Sequence, residues 1–191
     1  IANKEKIAEQ DYILVGERYK IDKPLATIYP VVPLSDICEI NAENKNPALA
    51  FGDDEFIYID ISSVENGTGK IDFSNKIKGS DAPSRAKRAV KKGDILFSTV
   101  RPNLKAYGYV EREDCDCCIA STGFAVISAK TMVLSKYVYY MLYSEPVQTQ
   151  LASMMGKGAY PSVNQKDVSQ IQIPLPPLSV QEAMVTALDN Y

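Results

Sequence analysis

The segment that most constrains the fold is the stretch KKGDILFSTVRP at residues 91–102. Its lysines and Gly-Asp pair are typical of a turn, the apolar run that follows is typical of a short buried strand, and Arg101 and Pro102 end that strand. A second stretch, IPLPPLSVQE at residues 173–182, indicates a rigid proline connector that leads into a helix. Neither stretch holds a nucleophile paired with a base. We therefore expect a binding module rather than an enzyme.

Hydrophobic periodicity places strands in the middle of the chain and helices towards its end. It predicts strands at residues 56–61, 94–100, 106–110, 117–120, 124–128 and 171–173. It predicts a brief helix capped by Ser35, a helix over 136–143 capped by Ser135, a helix from Pro146 to about residue 155, and a C-terminal helix with a capping box of Ser179 and Glu182. The expected fold class is α/β (α+β), with a mixed, mostly antiparallel β core and flanking helices.

The 191 residues suffice for one domain with two flanking segments. We expect a tail and linker at 1–32, the domain at 33–178, and the start of a longer helix at 179–191. The first residue is not Met, which favours a longer parent polypeptide. No apolar run approaches the roughly 20 residues that span a bilayer, and no signal peptide is visible. We therefore expect a cytoplasmic protein without membrane contact.

Four cysteines, Cys38, Cys115, Cys117 and Cys118, raise the question of a metal site. Zinc sites usually draw on two separated ligand pairs or on histidines, whereas three of these cysteines form one cluster and the chain has no His. The alternation of Cys115, Cys117 and Ile119 fits an edge strand in which thiols act as small apolar groups. We expect no metal site.

Charge is distributed unevenly along the chain. The net charge is only -3, but residues 76–105 carry +7, which leaves -10 for the rest. A basic face on an acidic chain is expected where one surface approaches phosphates, although a solvated loop with incidental lysines is the alternative. The arginines favour the first interpretation, because a guanidinium fits phosphate oxygens and the guanine edge. The basic side chains are Lys76, Lys78, Arg85, Lys87, Arg88, Lys91, Lys92, Arg101 and Lys105.

Two groups of aromatic residues have a possible role at nucleic acid. The glycine-containing loop at residues 156–164 holds Lys157 and Tyr160. It could lie against a phosphate backbone with Tyr160 near bases, or it could be a plain turn. The four tyrosines at residues 137–143 could stack bases, but their helical spacing favours the core, with hydroxyls at its rim.

Catalytic signatures are absent from the sequence. The single Pro-Pro pair lies in LPPL at residues 175–178, which lacks the polar and aromatic members of an amino-methyltransferase tetrapeptide. The triplet ENK at residues 43–45 matches the Asp/Glu-x-Lys pattern of metal nucleases, yet no Pro-Asp pair accompanies it. There is no phosphate loop, no Cys-His or Ser-His pair and no zinc signature. We assign no catalysis to this chain.

Four motifs in order resemble the target-recognition domain of type I restriction-modification specificity subunits. They are VPLSDI at 32–37, GDILFSTVRP at 93–102, ASTGF at 120–124 and IPLPPLSVQE at 173–182. The resemblance covers residues 30–191 and implies a domain that reads half of a split DNA target in the major groove, followed by the start of a spacer helix. It implies phosphate contacts by Arg85, Lys87, Arg88, Lys91, Lys92 and Arg101, with Arg85, Arg88 or Arg101 reaching a guanine. The expected DNA-binding set is completed by Lys105, Lys157 and Tyr160.

The lead-in resembles a second family. Residues 7–19, IAEQDYILVGERY, are similar to the C-terminal end of N6-adenine methyltransferase subunits of the same systems, although Ile13 replaces the usual Asn. This implies a parent chain that fuses methyltransferase and specificity domains. The implied partners are double-stranded DNA, a methyltransferase domain or subunit that uses S-adenosylmethionine, and a restriction subunit. No cofactor is expected in this chain itself, and dimerisation through the C-terminal helix is left open.

The competing class is a non-DNA-binding scaffold, or protein-interaction module, of a larger complex. Residues 76–105 would then be a solvated face, and the C-terminal helix would bind only a partner subunit. A scaffold has no need for a +7 segment on an acidic chain. The DNA-binding interpretation is therefore favoured, and salt-sensitive binding to duplex DNA discriminates between the two.

Overall fold

The computed structural model describes residues 28–155 and 161–190. Within these residues the strands form two four-stranded sheets and a two-stranded ribbon. The first sheet contains β2 (Cys38–Ile40), β6 (Ile95–Ser98), β7 (Tyr107–Tyr109) and β9 (Phe124–Ala129). Its order is β2-β9-β6-β7, and every ladder in it is antiparallel.

The second sheet is mixed. It contains β3 (Glu55–Ile59), β4 (Lys76–Lys78), β5 (Ala86–Ala89) and β8 (Cys118–Ser121). Its order is β4-β3-β8-β5, with β3 and β8 parallel and both edge strands antiparallel to their neighbours. The ribbon pairs β1 (Val31–Pro33) with β10 (Gln172–Pro174) in antiparallel register. The predicted class of a mixed, mostly antiparallel β core with flanking helices is confirmed.

Helices flank these sheets on several sides. In chain order they are α1 (Leu34–Ile37), α2 (Pro47–Phe51), α3 (Ser135–Tyr143), α4 (Glu145–Met154), α5 (Gln165–Ser169) and α6 (Leu178–Asp189). The apolar faces of α3 and α4 cover the first sheet, where their buried side chains join the same cluster as those of β6 and β9. Among the residues described, no helix combines the length and the apolar character needed to cross a membrane.

Strand β6 shows how two cores share one sheet. Successive side chains of a strand point to opposite faces. Ile95 and Phe97 accordingly pack in the cluster beneath α3 and α4, whereas Leu96 packs between the two sheets with Ile57 and Ala120. All four residues of β6 are buried, which explains why the strand is a continuous apolar run in the sequence.

The outer face of the second sheet carries a third, smaller core. Phe56, Tyr58 and Ile119 are buried there, and Phe51 of α2 stacks on Phe56 with ring centroids 5.3 Å apart. The cover over this face is formed by α2 and a short 3-10 helix, Gly79–Asp81. These two segments come from different parts of the sequence and meet only in the fold.

The tyrosines of α3 lie in or beside the main core, as their spacing predicts. Tyr137 is buried and donates its hydroxyl to the Pro174 carbonyl at 2.8 Å. Tyr143 donates to the Tyr107 carbonyl at 2.9 Å, and Tyr107 stacks on Phe97 with centroids 4.4 Å apart. The prediction of core packing is confirmed for Tyr137, Tyr139 and Tyr143, whereas Tyr140 lies outside the buried clusters and donates its hydroxyl to Asp189.

Three of the predicted helix caps are wrong. Ser35 lies inside α1, which Pro33 precedes, and α6 begins at Leu178 directly after Pro177 with no side-chain cap. Ser135 donates its hydroxyl to the Gly93 carbonyl instead of capping α3. At α1 a backbone contact takes the place of a cap, because the Leu34 N–H donates to the Ile171 carbonyl at 2.9 Å.

The edge-strand prediction for the cysteines is also wrong. β8 begins at Cys118 and lies between β3 and β5, so it is an interior strand, and Cys115 and Cys117 precede it. Burial raises the pKa of Cys118 and raises that of Cys38 to about 12, so both thiols stay neutral and act as apolar groups. No group of three or more Cys, Asp or Glu side chains in the described ranges is placed to hold a metal ion.

Candidate nucleic-acid interface

Backbone hydrogen bonds join the loops at one end of the two sheets. The turn between β8 and β9 donates its Thr122 N–H to the Arg85 carbonyl at 2.8 Å, and its Gly123 carbonyl accepts from the Thr99 N–H at 2.9 Å. Thr99 directly follows β6, and Arg85 directly precedes β5, so the bonds connect one sheet to the other. We call this the Arg101 end, made of residues 85, 99–105, 122–123 and 161–163.

Arg101 and Lys105 flank a tight 3-10 turn at this end. Both have left-handed backbone conformations, with φ of 50° and 55°. Such a conformation costs a residue other than glycine about 1 to 2 kcal/mol, so it persists only where neighbours fix it. Here Tyr107 donates its hydroxyl to the Pro102 carbonyl at 2.7 Å, and Pro161 accepts from the Arg101 N–H at 2.8 Å. The predicted end of the strand at the Arg-Pro pair is confirmed.

The side chains at the Arg101 end combine positive charge with exposed apolar groups. Arg85 and Arg101 are exposed and Lys105 is half-buried. No carboxylate of the described residues lies within ion-pair distance of Arg85 or Lys105. Val100 and Leu104 are 38% and 43% exposed beside them. Cations with small apolar groups suit a surface that contacts phosphates together with sugars or thymine methyl groups.

Lys91 and Lys92 lie at the opposite end of β6 and are ion-paired. The Lys91 ammonium is 2.9 Å from a Glu43 carboxylate oxygen, and Lys92 pairs with Glu113. These partners raise the pKa of both lysines, and Lys91 lowers the pKa of Glu43. The strand carries the chain across the sheet, so residues close in sequence are separated by its length. The predicted basic segment is therefore divided between two ends of the body.

Lys87 and Arg88 lie between these ends, on the edge strand β5. The register shifts between Ala86 and Arg88, which leaves Lys87 as the extra residue of a bulge, exposed to solvent. Arg88 points the other way: its Nη1 donates to the Asn44 side-chain oxygen at 2.8 Å, and its buried Nε has no partner among the described residues. Burial lowers the pKa of the Arg88 guanidinium.

Two of the predicted contact residues, Lys157 and Tyr160, lie outside the described residues. The carbonyl of Pro161, the first described residue after them, accepts a hydrogen bond from the Arg101 N–H. Val163 donates its N–H to the Thr99 carbonyl at 3.0 Å. The described part of this segment therefore belongs to the Arg101 end.

The triplet at residues 43–45, which matched a nuclease pattern by its letters, has structural contacts instead. Glu43 pairs with Lys91, and the Lys45 ammonium donates to the Asp116 carbonyl at 3.0 Å. Its backbone extends the second sheet, because the Lys45 N–H donates to the Lys87 carbonyl at 2.8 Å. This segment borders a cleft of about 520 Å³ that sequence reasoning did not identify.

Comparison with known proteins finds the same fold in several relatives. A curated relative, the type I restriction enzyme HindI specificity subunit of Haemophilus influenzae, is 29% identical over 143 residues, which are 71% of this chain and 28% of that protein. The crystal structure of the HsdS subunit from Thermoanaerobacter tengcongensis is similar with a TM-score of 0.76 and 34% identity, over 88% of this chain and 43% of that one. A solved structure that concerns complex assembly and conformational transition of the type I R-M system is similar with a TM-score of 0.77 and 35% identity, also over 88% of this chain and 43% of that one.

The chain spans less than half the length of these relatives. The family model described as type I restriction modification DNA specificity domain matches residues 29–191, from just before β1 through α6. The match includes both sheets, the Arg101 end and the proline connector, and it agrees with the resemblance of the four sequence motifs. The chain belongs to the family of type I restriction modification DNA specificity domains.

Proposed function

We propose that this chain binds double-stranded DNA at a specific sequence, as the target-recognition module of a type I or related restriction-modification system. The observation that carries the proposal is the Arg101 end, where backbone hydrogen bonds join the loops that carry Arg85, Arg101 and Lys105. A surface of this kind attracts the phosphate backbone through its charge. Its guanidinium groups can also donate two hydrogen bonds to a guanine edge.

The nine proposed contact residues divide by their surroundings. Arg85, Arg101 and Lys105 form the main group, and Lys157 and Tyr160 are proposed to join it because they precede Pro161 in the sequence by four residues and by one. Lys87 extends the surface along β5, and contact by Arg88 has to displace its hydrogen bond to Asn44. Lys91 and Lys92 form a secondary group, because contact with phosphates has to compete with their ion pairs to Glu43 and Glu113. Such exposed pairs are screened by solvent and contribute little to stability, so DNA can displace them.

The catalytic steps of the proposed system, methyl transfer and DNA cleavage, are assigned to partner domains or subunits. We propose that the chain is non-catalytic and directs an N6-adenine methyltransferase domain or subunit, which uses S-adenosylmethionine, and a restriction subunit where the system also cleaves DNA. The relatives with solved structures are specificity subunits or belong to an assembled type I R-M system. Dimerisation through α6 and a cytoplasmic location complete the proposal.

The test is selection from a randomised duplex pool by the full-length protein at about 50 and 200 mM salt, the range over which phosphate contacts lose much of their affinity. We expect enrichment of one short motif by the wild type. We expect loss of that enrichment in a variant with Arg85, Arg101 and Lys105 changed to Ala. A variant with Lys91 and Lys92 changed to Ala is the matched control and should retain the motif with modestly weaker binding.

Absence of any retained DNA at the lower salt would contradict the proposal. If the protein then bound a partner subunit with unchanged affinity in both variants, the scaffold function would replace it.

A further inference from the structure

The second sheet carries an open cleft on its outer face, beside the edge strand β5. One wall is the segment before and at the start of α2, residues 44–48, and the other is the segment from the 3-10 helix to β5, residues 79–87. The cleft has a volume of about 520 Å³, within the range of roughly 300 to 1,000 Å³ that is typical of small-ligand sites. It has room for a group of the size of one nucleotide unit.

Close backbone packing fixes the shape of this cleft. At Gly79 an added Cβ would lie 2.5 Å from the Pro47 carbonyl oxygen and 2.9 Å from the backbone of Gly52, so only glycine fits. The Ser80 N–H donates to the Gly52 carbonyl at 2.7 Å, and the Gly79 N–H donates to the Asp54 carbonyl at 3.0 Å. The two walls are therefore joined at the base, and the cleft is preformed.

The side-chain amides in the cleft have their oxygens occupied and their N–H groups available. The Asn44 oxygen accepts from Arg88 at 2.8 Å, and the Asn46 oxygen accepts from the Ala48 N–H at 3.1 Å. An Asn side chain has two further N–H donors on its nitrogen. The hydroxyl of Ser84 lies on the opposite wall. The free hydrogen-bonding capacity of this surface is therefore mainly that of a donor.

Two cations border the cleft, and its lining contains no acid. The Lys45 ammonium is positioned by the Asp116 carbonyl at 3.0 Å and by the ring of Phe51, whose centroid is 5.1 Å away. Lys87 is exposed at the other wall. None of the described residues that line the cleft is Asp or Glu. Two neighbouring carboxylates have partners, since Asp53 accepts from Ser80 at 3.2 Å and Glu43 pairs with Lys91, and Asp81 lies in the same wall but is not among the lining residues.

A cleft that is lined by hydrogen-bond donors and cations, and by no acidic side chain, favours an anionic ligand that offers only hydrogen-bond acceptors. A phosphodiester is such a group. The remaining lining is mainly small and apolar, with Pro47 and Ala48 in one wall and Ala82, Pro83 and Ala86 in the other. Small apolar side chains of this kind suit the face of a deoxyribose. We propose that the cleft binds a sugar–phosphate unit of the DNA backbone, with Lys45, Lys87 and the two Asn amides on the phosphate oxygens. This inference rests on the proposed function and adds a second contact region to the Arg101 end.

The first test compares two lysines on opposite edges of the same sheet. In Lys87→Gln the cleft loses a cation, whereas Lys76→Gln makes the same charge change on β4, away from the cleft. For the full-length protein and its selected duplex, we expect the slope of log K against log salt to become shallower by about 0.9 in Lys87→Gln. The slope should stay unchanged in Lys76→Gln. Equal slopes in all three proteins would overturn the inference and remove Lys87 from the proposed contacts, but they would leave the main group of Arg85, Arg101 and Lys105 untouched.

The second test changes the DNA rather than the protein. Each phosphate of the selected duplex is replaced in turn by a neutral methylphosphonate, and the affinity is measured for the wild type and both variants. We expect one position at which the replacement weakens the wild type and Lys76→Gln several-fold but has no effect on Lys87→Gln. Absence of such a position would overturn the inference, whereas failure of the wild type to bind any duplex would overturn the proposed function itself.

A third arm separates DNA from free phosphate as the source of the anion. Inorganic phosphate is added at constant ionic strength to the complexes with the selected duplex. We expect no selective displacement, because free phosphate lacks the sugar that the apolar walls contact. Displacement from the wild type and Lys76→Gln but not from Lys87→Gln would assign the cleft to free phosphate and overturn the DNA assignment.

Discussion

The side-chain oxygen of Gln181 accepts a hydrogen bond from the Leu134 N–H at 2.8 Å, at the point where α3 begins. Gln181 is fully buried, and its nitrogen donates to the Pro176 carbonyl at 2.9 Å. One side chain on α6 therefore joins the start of α3 to the proline connector. At the far end of the same helix, Asp189 accepts from Lys136 at 2.9 Å and from the hydroxyl of Tyr140. These two attachments fix the direction of α6 relative to the body.

Replacement of Gln181 by Ala should destabilise the fold. It leaves a buried N–H and a buried carbonyl without partners, and each such group costs about 1 to 3 kcal/mol. We expect the free energy of unfolding to fall by at least about 2 kcal/mol in urea titrations followed by circular dichroism. Glu182→Ala, on the exposed side of the same turn, is the control and should stay within about 0.5 kcal/mol of the wild type. Equal stability of both variants would contradict this role for Gln181.

The buried carboxyl of Asp94 should give stability an unusual dependence on pH. It accepts from the Ser128 hydroxyl at 2.6 Å and from the Lys91 N–H at 2.8 Å, but burial is the larger effect and raises its pKa. An acid with a raised pKa favours its protonated form in the fold. Its contribution is therefore fully present below about pH 3.8 and is lost as the pH rises through the folded-state pKa.

The variant Asp94→Asn removes this titration. We expect its free energy of unfolding, relative to the wild type, to increase as the pH rises from about 4 through the pKa of Asp94. Asp72→Asn is a control of opposite sign, because bonds from Ser74 lower the pKa of that exposed carboxyl. Its stability relative to the wild type should fall slightly as the pH rises towards 3.8. Parallel pH profiles for Asp94→Asn and the wild type would refute the prediction.

Replacement of Gly79 by Ala should disturb the packing of the 3-10 helix Gly79–Asp81 against α2. The new methyl group would meet backbone atoms of Pro47 and Gly52, which cannot rotate away. Overpacking of this kind costs about 1 to 3 kcal/mol. We expect a loss of that size in chemical unfolding. Ser80→Ala, which removes only an exposed bond to Asp53, should change stability by less than about 0.5 kcal/mol. A stable Gly79→Ala variant would show that the walls of the cleft can separate.

Two replacements of Arg101 should separate charge from backbone conformation. Arg101→Gly and Arg101→Ala both remove the guanidinium, but glycine adopts the left-handed conformation without steric cost. We expect Arg101→Gly to be more stable than Arg101→Ala by about 1 kcal/mol. Both variants should bind the selected duplex more weakly and with a shallower salt dependence. If one variant kept wild-type affinity, Arg101 would have no place in the DNA contact.

The sequence predicts the strands better than it predicts how their ends meet. β6 and β9 were located because buried or alternating runs follow from the local geometry of a strand. The helix caps were not, since the first N–H of α1 donates to Ile171 and tertiary contact with Gly93 redirected Ser135. Local sequence patterns predict where helices and strands lie, whereas the hydrogen-bond partners of the side chains at their ends depend on long-range contacts.

The candidate site shows the same limit. The charge of residues 76–105 was visible, but its division between Arg101 at one end and Lys91 at the other depends on the direction of β6 through the sheet. The cleft could not be found from the sequence, because Asn44 and Lys45 approach Lys87 only through the backbone pairing along β5. Nothing in either segment alone indicates the other.

The ribbon of β1 and β10 holds the two ends of the domain body together. Val31 lies directly opposite Pro174, so the chain enters and leaves the body on adjacent antiparallel strands about 5 Å apart. The residues between them, which include both sheets, the Arg101 end and the cleft, form one continuous segment of the chain whose two ends lie side by side. A different body built on the same ribbon would keep residues 31 and 174 side by side, but the path of α6 would also depend on new partners for Gln181 and Asp189, because both now bind at α3. The ribbon therefore sets where the two strands lie, and the contacts with α3 set where the chain goes after residue 178.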